Sequence, residues 1–188
     1  MKRILLATLI AILGTGASAG EKYALLVGVT EYEHPKFKTL KYAENDVAEL
    51  GKVLAAGGFK VTQISETAKI KPKRENIIRE LDAILAKCTK RDMIVVALSG
   101  HGMQPAGSKE NFFCPSDARA HDLKTLLGMA DLYEKLDHSA AETKLMLIDA
   151  CRDDPVGGKG ITKVPLPPEG VGVLLSCSPG EQAYESSK

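Results

Sequence analysis

Hydrophobic residues along this chain fall into short unbroken runs, separated by segments in which they recur every three or four positions. Residues 23–29 are apolar almost throughout, as expected of a strand covered on both faces. Residues 30–45 are polar, with Pro35 as a helix breaker. Asn45 is expected to cap a helix running to about Ala56, with Val47, Leu50, Val53 and Leu54 as its apolar face and Gly57-Gly58 as its end. Residues 59–64 predict a second strand. The helical period is clearest over 73–87, where Ile77, Ile78, Leu81, Ile84 and Leu85 form one stripe. A third strand is predicted at 92–98, an irregular or hairpin insert at 103–118, a short helix at about 129–137 and a fourth strand at 144–149. A stretch rich in Gly and Pro, 155–170, leads to a fifth strand at 171–176.

Buried strands alternating with helices predict an α/β domain with a mostly parallel central sheet and helices on both faces, three layers in all. In such sheets functional groups gather at the carboxyl ends of the strands. At 188 residues the chain holds one ordinary domain with room for a core. Its 44% hydrophobic and 26% charged residues are a globular balance, and a net charge of +1 gives no reason to invoke nucleic acid or an acidic membrane.

The first residues differ in kind. Lys2-Arg3 precedes an apolar run, 4–13, and then small residues with Ala17 and Ala19 in an A-x-A arrangement. This is the pattern of a signal peptide, and the run is shorter than the roughly 20 residues that span a bilayer. Residues 1–19 are therefore expected to be removed on export, leaving a domain at 20–188 in the periplasm or outside the cell, with no membrane attachment in its mature form. Export permits disulfides, but Cys88, Cys114, Cys151 and Cys177 contain no C-x-x-C pair, so neither a zinc site nor a disulfide scaffold is predicted.

Two strands end in groups with chemistry. The third runs into Ser99-Gly100-His101-Gly102 and the fourth into Asp149-Ala150-Cys151-Arg152-Asp153. A lone cysteine after an apolar strand is ordinarily a small core residue, and a lone histidine ordinarily a hydrogen-bonded structural one. At equivalent ends of neighbouring strands, about 4.8 Å apart, they become an imidazole beside a thiol nucleophile. The backbone N–H groups of Gly102 and Cys151 are then candidates for an oxyanion hole.

Those motifs carry a resemblance. L-S-G-H-G at 98–102 and I-D-A-C-R-D at 148–153 are similar to the His and Cys motifs of the caspase-like cysteine peptidases, including metacaspases and paracaspases. His101 and Cys151 stand 50 residues apart, a spacing the caspases share. The opening strand, the L-K-Y-A-E-N-D-V segment at 40–47 and S-C-S-P-G-E-Q-A-Y-E at 176–185 resemble the same family, so the likeness covers about 22–185. It implies a caspase-like fold and a cysteine endopeptidase acting on proteins or peptides through a His101/Cys151 dyad. The alternative is a catalytically silent caspase-like module that binds or scaffolds. A generic doubly wound binding domain is disfavoured because no Gly-rich phosphate loop follows the first strand.

The cysteine motif departs from that of true caspases in having Asp149 two residues before Cys151, as metacaspases and paracaspases do. The resemblance implies that Asp149, Ser99 and Asp46 line the S1 pocket. Two carboxylates there favour a basic P1 residue, Arg or Lys, over an acidic one. Asp46 has a plainer reading as a solvated residue in the first turn of a helix, and Asp149 as a strand-end hydrogen-bonder. With a basic P1, Lys159 or Lys163 in the loop after Cys151 is a candidate for self-cleavage. Glu181 and Tyr184 fall in a segment that borders the substrate groove in relatives, and Cys177 has no catalytic duty there. His34, His121 and His138 read as surface residues. No cofactor or metal is predicted: relatives are often calcium-activated, but no D-x-[DN]-x-[DN]-G loop is present and Asp153-Asp154 alone is too little. Relatives continue past the fifth strand with a further strand and helix, which leaves open whether 20–188 is a whole catalytic domain.

Overall fold

The structure, a computed structural model, describes residues 20–105, 110–151 and 166–176. The expected signal peptide, Lys159, Lys163, Cys177, Glu181 and Tyr184 lie outside these residues. The described chain runs β1 (Lys22–Gly28), α1 (Ala43–Ala56), β2 (Lys60–Ile64), α2 (Arg74–Leu85), β3 (Met93–Met103), β4 (Phe112–Phe113), a 3-10 turn (Leu123–Thr125), β5 (Leu127–Gly128), α3 (Met129–Asp137), β6 (Thr143–Cys151) and β7 (Val171–Leu175). Five strands pair in parallel in the order β2-β1-β3-β6-β7, and β4 and β5 add an antiparallel arm to the upper end of β3.

Alternation along the strands sorts the core into two layers. Leu25 and Val27 of β1 with Ile94, Val96 and Leu98 of β3 meet α2 and α3 on one face. Ala24, Leu26, Val95 and Ala97 meet Val47 of α1 on the other. The three-layer, mostly parallel α/β architecture is the one the pattern predicts. The stripe on α2 holds too: Ile77, Leu81 and Ile84 are buried, with Ile78 and Leu85 packed at their edge.

Some local expectations are corrected. Asn45 does not cap α1; the helix begins at Ala43, after Tyr42, whose φ/ψ of −117°/−17° is already near-helical. The Asp46 N–H closes the first turn on the Tyr42 carbonyl, so Asn45 lies inside the turn, where its side chain has no orphan N–H ahead of it to accept. Val53 is not on the core face but 68% exposed, because the buried stripe of α1 is Ala43, Val47 and Gly51. The end of α1 is as expected: Gly58 takes φ +83°, a left-handed conformation that only glycine adopts cheaply. The hairpin expected at 103–118 is present: among the described residues β4 pairs antiparallel with the end of β3 and is followed by a turn, and its second antiparallel partner, β5, lies further on, at 127–128.

Strands β3 and β6 also run further than their apolar stretches. Ser99, Gly100 and His101 remain in the ladder opposite Asp149, Ala150 and Cys151, and Gly102 and Met103 then pair with Phe113 and Phe112. At its other end β3 starts at Met93, because Asp92 serves as a clamp. Its Oδ1 accepts the Glu21 N–H at 2.7 Å and its Oδ2 the Thr89 N–H at 2.6 Å, tying the starts of β1 and β3 together. These backbone hydrogen bonds, that from Thr89 foremost, hold the Asp92 carboxyl below its ordinary value of 3.8.

Candidate active site

The strand order places a topological switch between β1 and β3: the chain leaves β1 one way, through α1 to β2, and returns the other way to β3. Crevices at such points, at the carboxyl ends of the strands, are where open α/β sheets bind ligands. His101 stands there, with Cys151 as its direct partner across the parallel β3–β6 ladder.

His101 is buried, at 3% exposure, and its imidazole and backbone are held separately. Ring nitrogen Nε2 lies 2.7 Å from the Lys38 carbonyl oxygen. A carbonyl only accepts, so Nε2 carries a hydrogen, and in the neutral form of the ring the lone pair is on Nδ1. The His101 backbone N–H donates to the Tyr32 hydroxyl at 2.8 Å, and its carbonyl accepts from the Cys114 N–H at 2.9 Å. Because that bond leaves β3 on the β4 side, Gly102, next along the strand, turns its own N–H to the edge shared with β6. Tyr32 also tilts over the imidazole with ring centroids 4.9 Å apart and stacks on Phe37 at 5.2 Å. Gly100 is required by close approach: a Cβ there would lie 3.0 Å from the Tyr32 hydroxyl and 3.2 Å from the Phe113 ring.

Beside this constellation, on the face of the sheet covered by α1, is a cavity of about 360 Å³. Asp46 of α1, Ser99 of β3, Asp149 of β6 and Ser176 after β7 are among the residues that line it, together with Leu50, Leu147 and Leu174. Asp46, Ser99 and Asp149, far apart in sequence, are thus brought to one cavity. The other first-turn carboxylate of α1 serves a different end. Glu44 accepts from the Thr67 hydroxyl at 2.7 Å and from the N–H groups of Glu66 and Thr67, fastening α1 to the loop after β2. Ser176, which the motif reading did not single out, is held by its N–H to the Ile148 carbonyl at 3.0 Å.

Other candidates lie apart. His34 and His121 both meet Lys36, His34 through the Lys36 N–H and His121 through its ammonium, at exposed positions. His138 ends α3, at a separate groove between α2 and α3. Cys88 and Cys114 are buried; the Cys88 thiol donates to the Ile84 carbonyl, and burial pushes it above the ordinary value of 9.0. Among the described residues no group of three His, Cys, Asp or Glu is placed to hold a metal ion.

The sequence reading did not find Tyr32, Phe37 or Lys38. An available signal was the aromatic pair in an otherwise polar stretch of a chain with only five Tyr and four Phe. Lys38 acts through its carbonyl, which no side-chain pattern encodes.

A parallel sheet with helices on both faces, and a histidine paired with a cysteine at its switch point, defines a caspase-like α/β protein. Comparison with known proteins agrees: the family model of the caspase domain matches residues 21–188, and the chain belongs to that family of cysteine peptidases. Among solved structures, caspase-1 from Spodoptera frugiperda superposes with a TM-score of 0.62 at 20% identity, over 89% of this chain and 64% of its own. A Geobacter sulfurreducens protein superposes with a TM-score of 0.57 at 23% identity, over 70% of this chain and 50% of its own. The chain thus spans between half and two thirds of the length of these structures. Among curated proteins none matches it.

Proposed function

We propose that this protein is a cysteine endopeptidase that cleaves after Arg or Lys, with Cys151 as nucleophile and His101 as its acid–base partner. The observation that carries the reading is the register of β3 against β6, in which His101 and Cys151 are direct partners. With Nε2 committed to the Lys38 carbonyl, Nδ1 is the nitrogen that takes the thiol proton. The thiolate then attacks the scissile carbonyl carbon, and the oxyanion is received by the N–H groups of Gly102 and Cys151. The imidazolium returns its proton to the departing amine. Water attacks the resulting thioester, regenerating the thiol and releasing the new carboxylate.

The basic P1 preference is supported by the cavity that Asp46, Ser99 and Asp149 share. Its two carboxylates complement a guanidinium or ammonium, and its leucines suit the aliphatic stem that carries either group. An aspartate side chain would meet like charge there. Export, argued from the pattern at 1–19, places the activity in the periplasm or outside the cell. Self-cleavage at Lys159 or Lys163 belongs to the same reading, and no cofactor is part of it. The test is a comparison of kcat/KM on peptides differing only at P1, with Cys151→Ala as control and with and without calcium. Arg and Lys peptides should be cleaved and Asp peptides not. Cleavage that survives in Cys151→Ala, or that favours Asp, would overturn the proposal.

A further inference from the structure

We infer that Tyr32 is a positioning residue for His101, standing in for a strand that β3 lacks at that point. The inference rests on the dyad reading above. On its inner edge β3 is paired with β1 only as far as Ser99, whose carbonyl accepts the Val29 N–H at 2.9 Å, and pairing with β4 begins at Gly102. Between the two strands the His101 peptide would lose its ladder partners. Its N–H is instead taken by a side chain, the Tyr32 hydroxyl, and its carbonyl by the Cys114 N–H. A buried N–H without an acceptor is costly, so the backbone would shift to find one if the hydroxyl were removed.

The same residue restrains the side chain. The Tyr32 ring, backed by Phe37, lies tilted over the imidazole, while the Lys38 carbonyl holds Nε2. All three groups come from the single loop between β1 and α1. Gly100 completes the arrangement, because any larger residue would put a Cβ 3.0 Å from the Tyr32 hydroxyl. Tyr32 therefore fixes both the height of His101 at the strand end and the plane of its ring. In the dyad reading, a misplaced imidazole would weaken ionisation of the Cys151 thiol without removing any group that contacts substrate.

The test is the pH dependence of Cys151 alkylation by iodoacetamide, followed on the Cys151 peptide by mass spectrometry, in wild type, Tyr32→Phe, Tyr32→Leu and His101→Ala. Tyr32→Phe keeps the ring and its volume, so it decides the matter even if Tyr32→Leu does not fold, as judged by circular dichroism. The alkylation midpoint should rise in His101→Ala toward the free-thiol value of about 8.5. It should rise less in Tyr32→Phe, with a threefold to tenfold lower rate at pH 7, and further in Tyr32→Leu. On an Arg peptide Tyr32→Phe should lower kcat and leave KM unchanged. A midpoint that stays at the wild-type value in Tyr32→Phe while moving in His101→Ala would overturn the positioning role alone. A midpoint unmoved in His101→Ala would overturn the dyad reading and this inference with it.

Discussion

Replacing Gly100 by Ala probes the packing on which the site is built, and needs no substrate. The added methyl carbon would sit 3.0 Å from the Tyr32 hydroxyl and 3.2 Å from two ring carbons of Phe113. Carbon–carbon contacts are comfortable at about 3.5–4.0 Å, so the ring contact is about 0.3 Å too short. Phe113 cannot retreat cheaply, being 1% exposed and paired through its backbone with Gly102. Tyr32 can move, but only by giving up the His101 N–H. Overpacking of this size costs about 1–3 kcal/mol, which for a domain of this length lowers Tm by about 2–12 °C. Urea unfolding followed by far-ultraviolet circular dichroism should give a lower midpoint at unchanged slope. A double-mutant cycle then separates the two collisions. Tyr32→Phe, which removes the oxygen, should cost about 0.5 kcal/mol or more less in the G100A background than in wild type. An unchanged midpoint in G100A, or identical costs of Tyr32→Phe in both backgrounds, would show that Gly100 and Tyr32 are not in contact and refute the reasoning.

Asp149→Ala should lower kcat/KM on Arg peptides about tenfold or more, the loss of one charge-assisted hydrogen bond, while thermal melts show little change in stability; wild-type kcat/KM on Arg peptides would remove Asp149 from the P1 pocket. Asp92 gives a pH prediction. Its carboxyl is held below 3.8 in the folded protein, so its contribution is complete above the unfolded value and is lost as pH falls through the folded one. Tm of the wild type should therefore fall between about pH 5 and pH 2, and Asp92→Asn should be less stable at pH 7 with a flatter acid limb; parallel curves would contradict the clamp. Cys88, buried and with its thiol pushed up, should resist iodoacetamide in the native protein at pH 7 and react only after unfolding, as peptide mapping would report.

Much of this architecture is legible from periodicity, because the elements that form the layers bury what the pattern says they bury. Ile77, Leu81 and Ile84 of α2 and the apolar runs of β1, β3 and β6 are examples. The strand pairing of His101 with Cys151 was legible for the same reason: both residues follow apolar runs, and parallel pairing in register makes them partners. What escaped depends on contacts distant in sequence. The apolar pattern ends the third strand at 98, yet β3 continues through Gly100 and Gly102 because β6 and β4 supply partners. The first N–H of α2, that of Arg74, is capped by Asp117, 43 residues away, so no local capping pattern reveals it. Asn45 misled because a capping residue was expected where the chain had already entered the helix at Ala43. The bracket around His101 was hidden because it combines an aperiodic loop with a backbone carbonyl.

The most direct test of the central claim is covalent capture of the nucleophile. The mature protein treated with a peptide chloromethylketone bearing Arg at P1 should gain one label, on Cys151, and the label should be lost in His101→Ala and slowed in Asp149→Ala. A chloromethylketone with Asp at P1 should label far more slowly. Labelling of Cys151 at the same rate in His101→Ala, or faster by the Asp reagent than by the Arg one, would contradict the account.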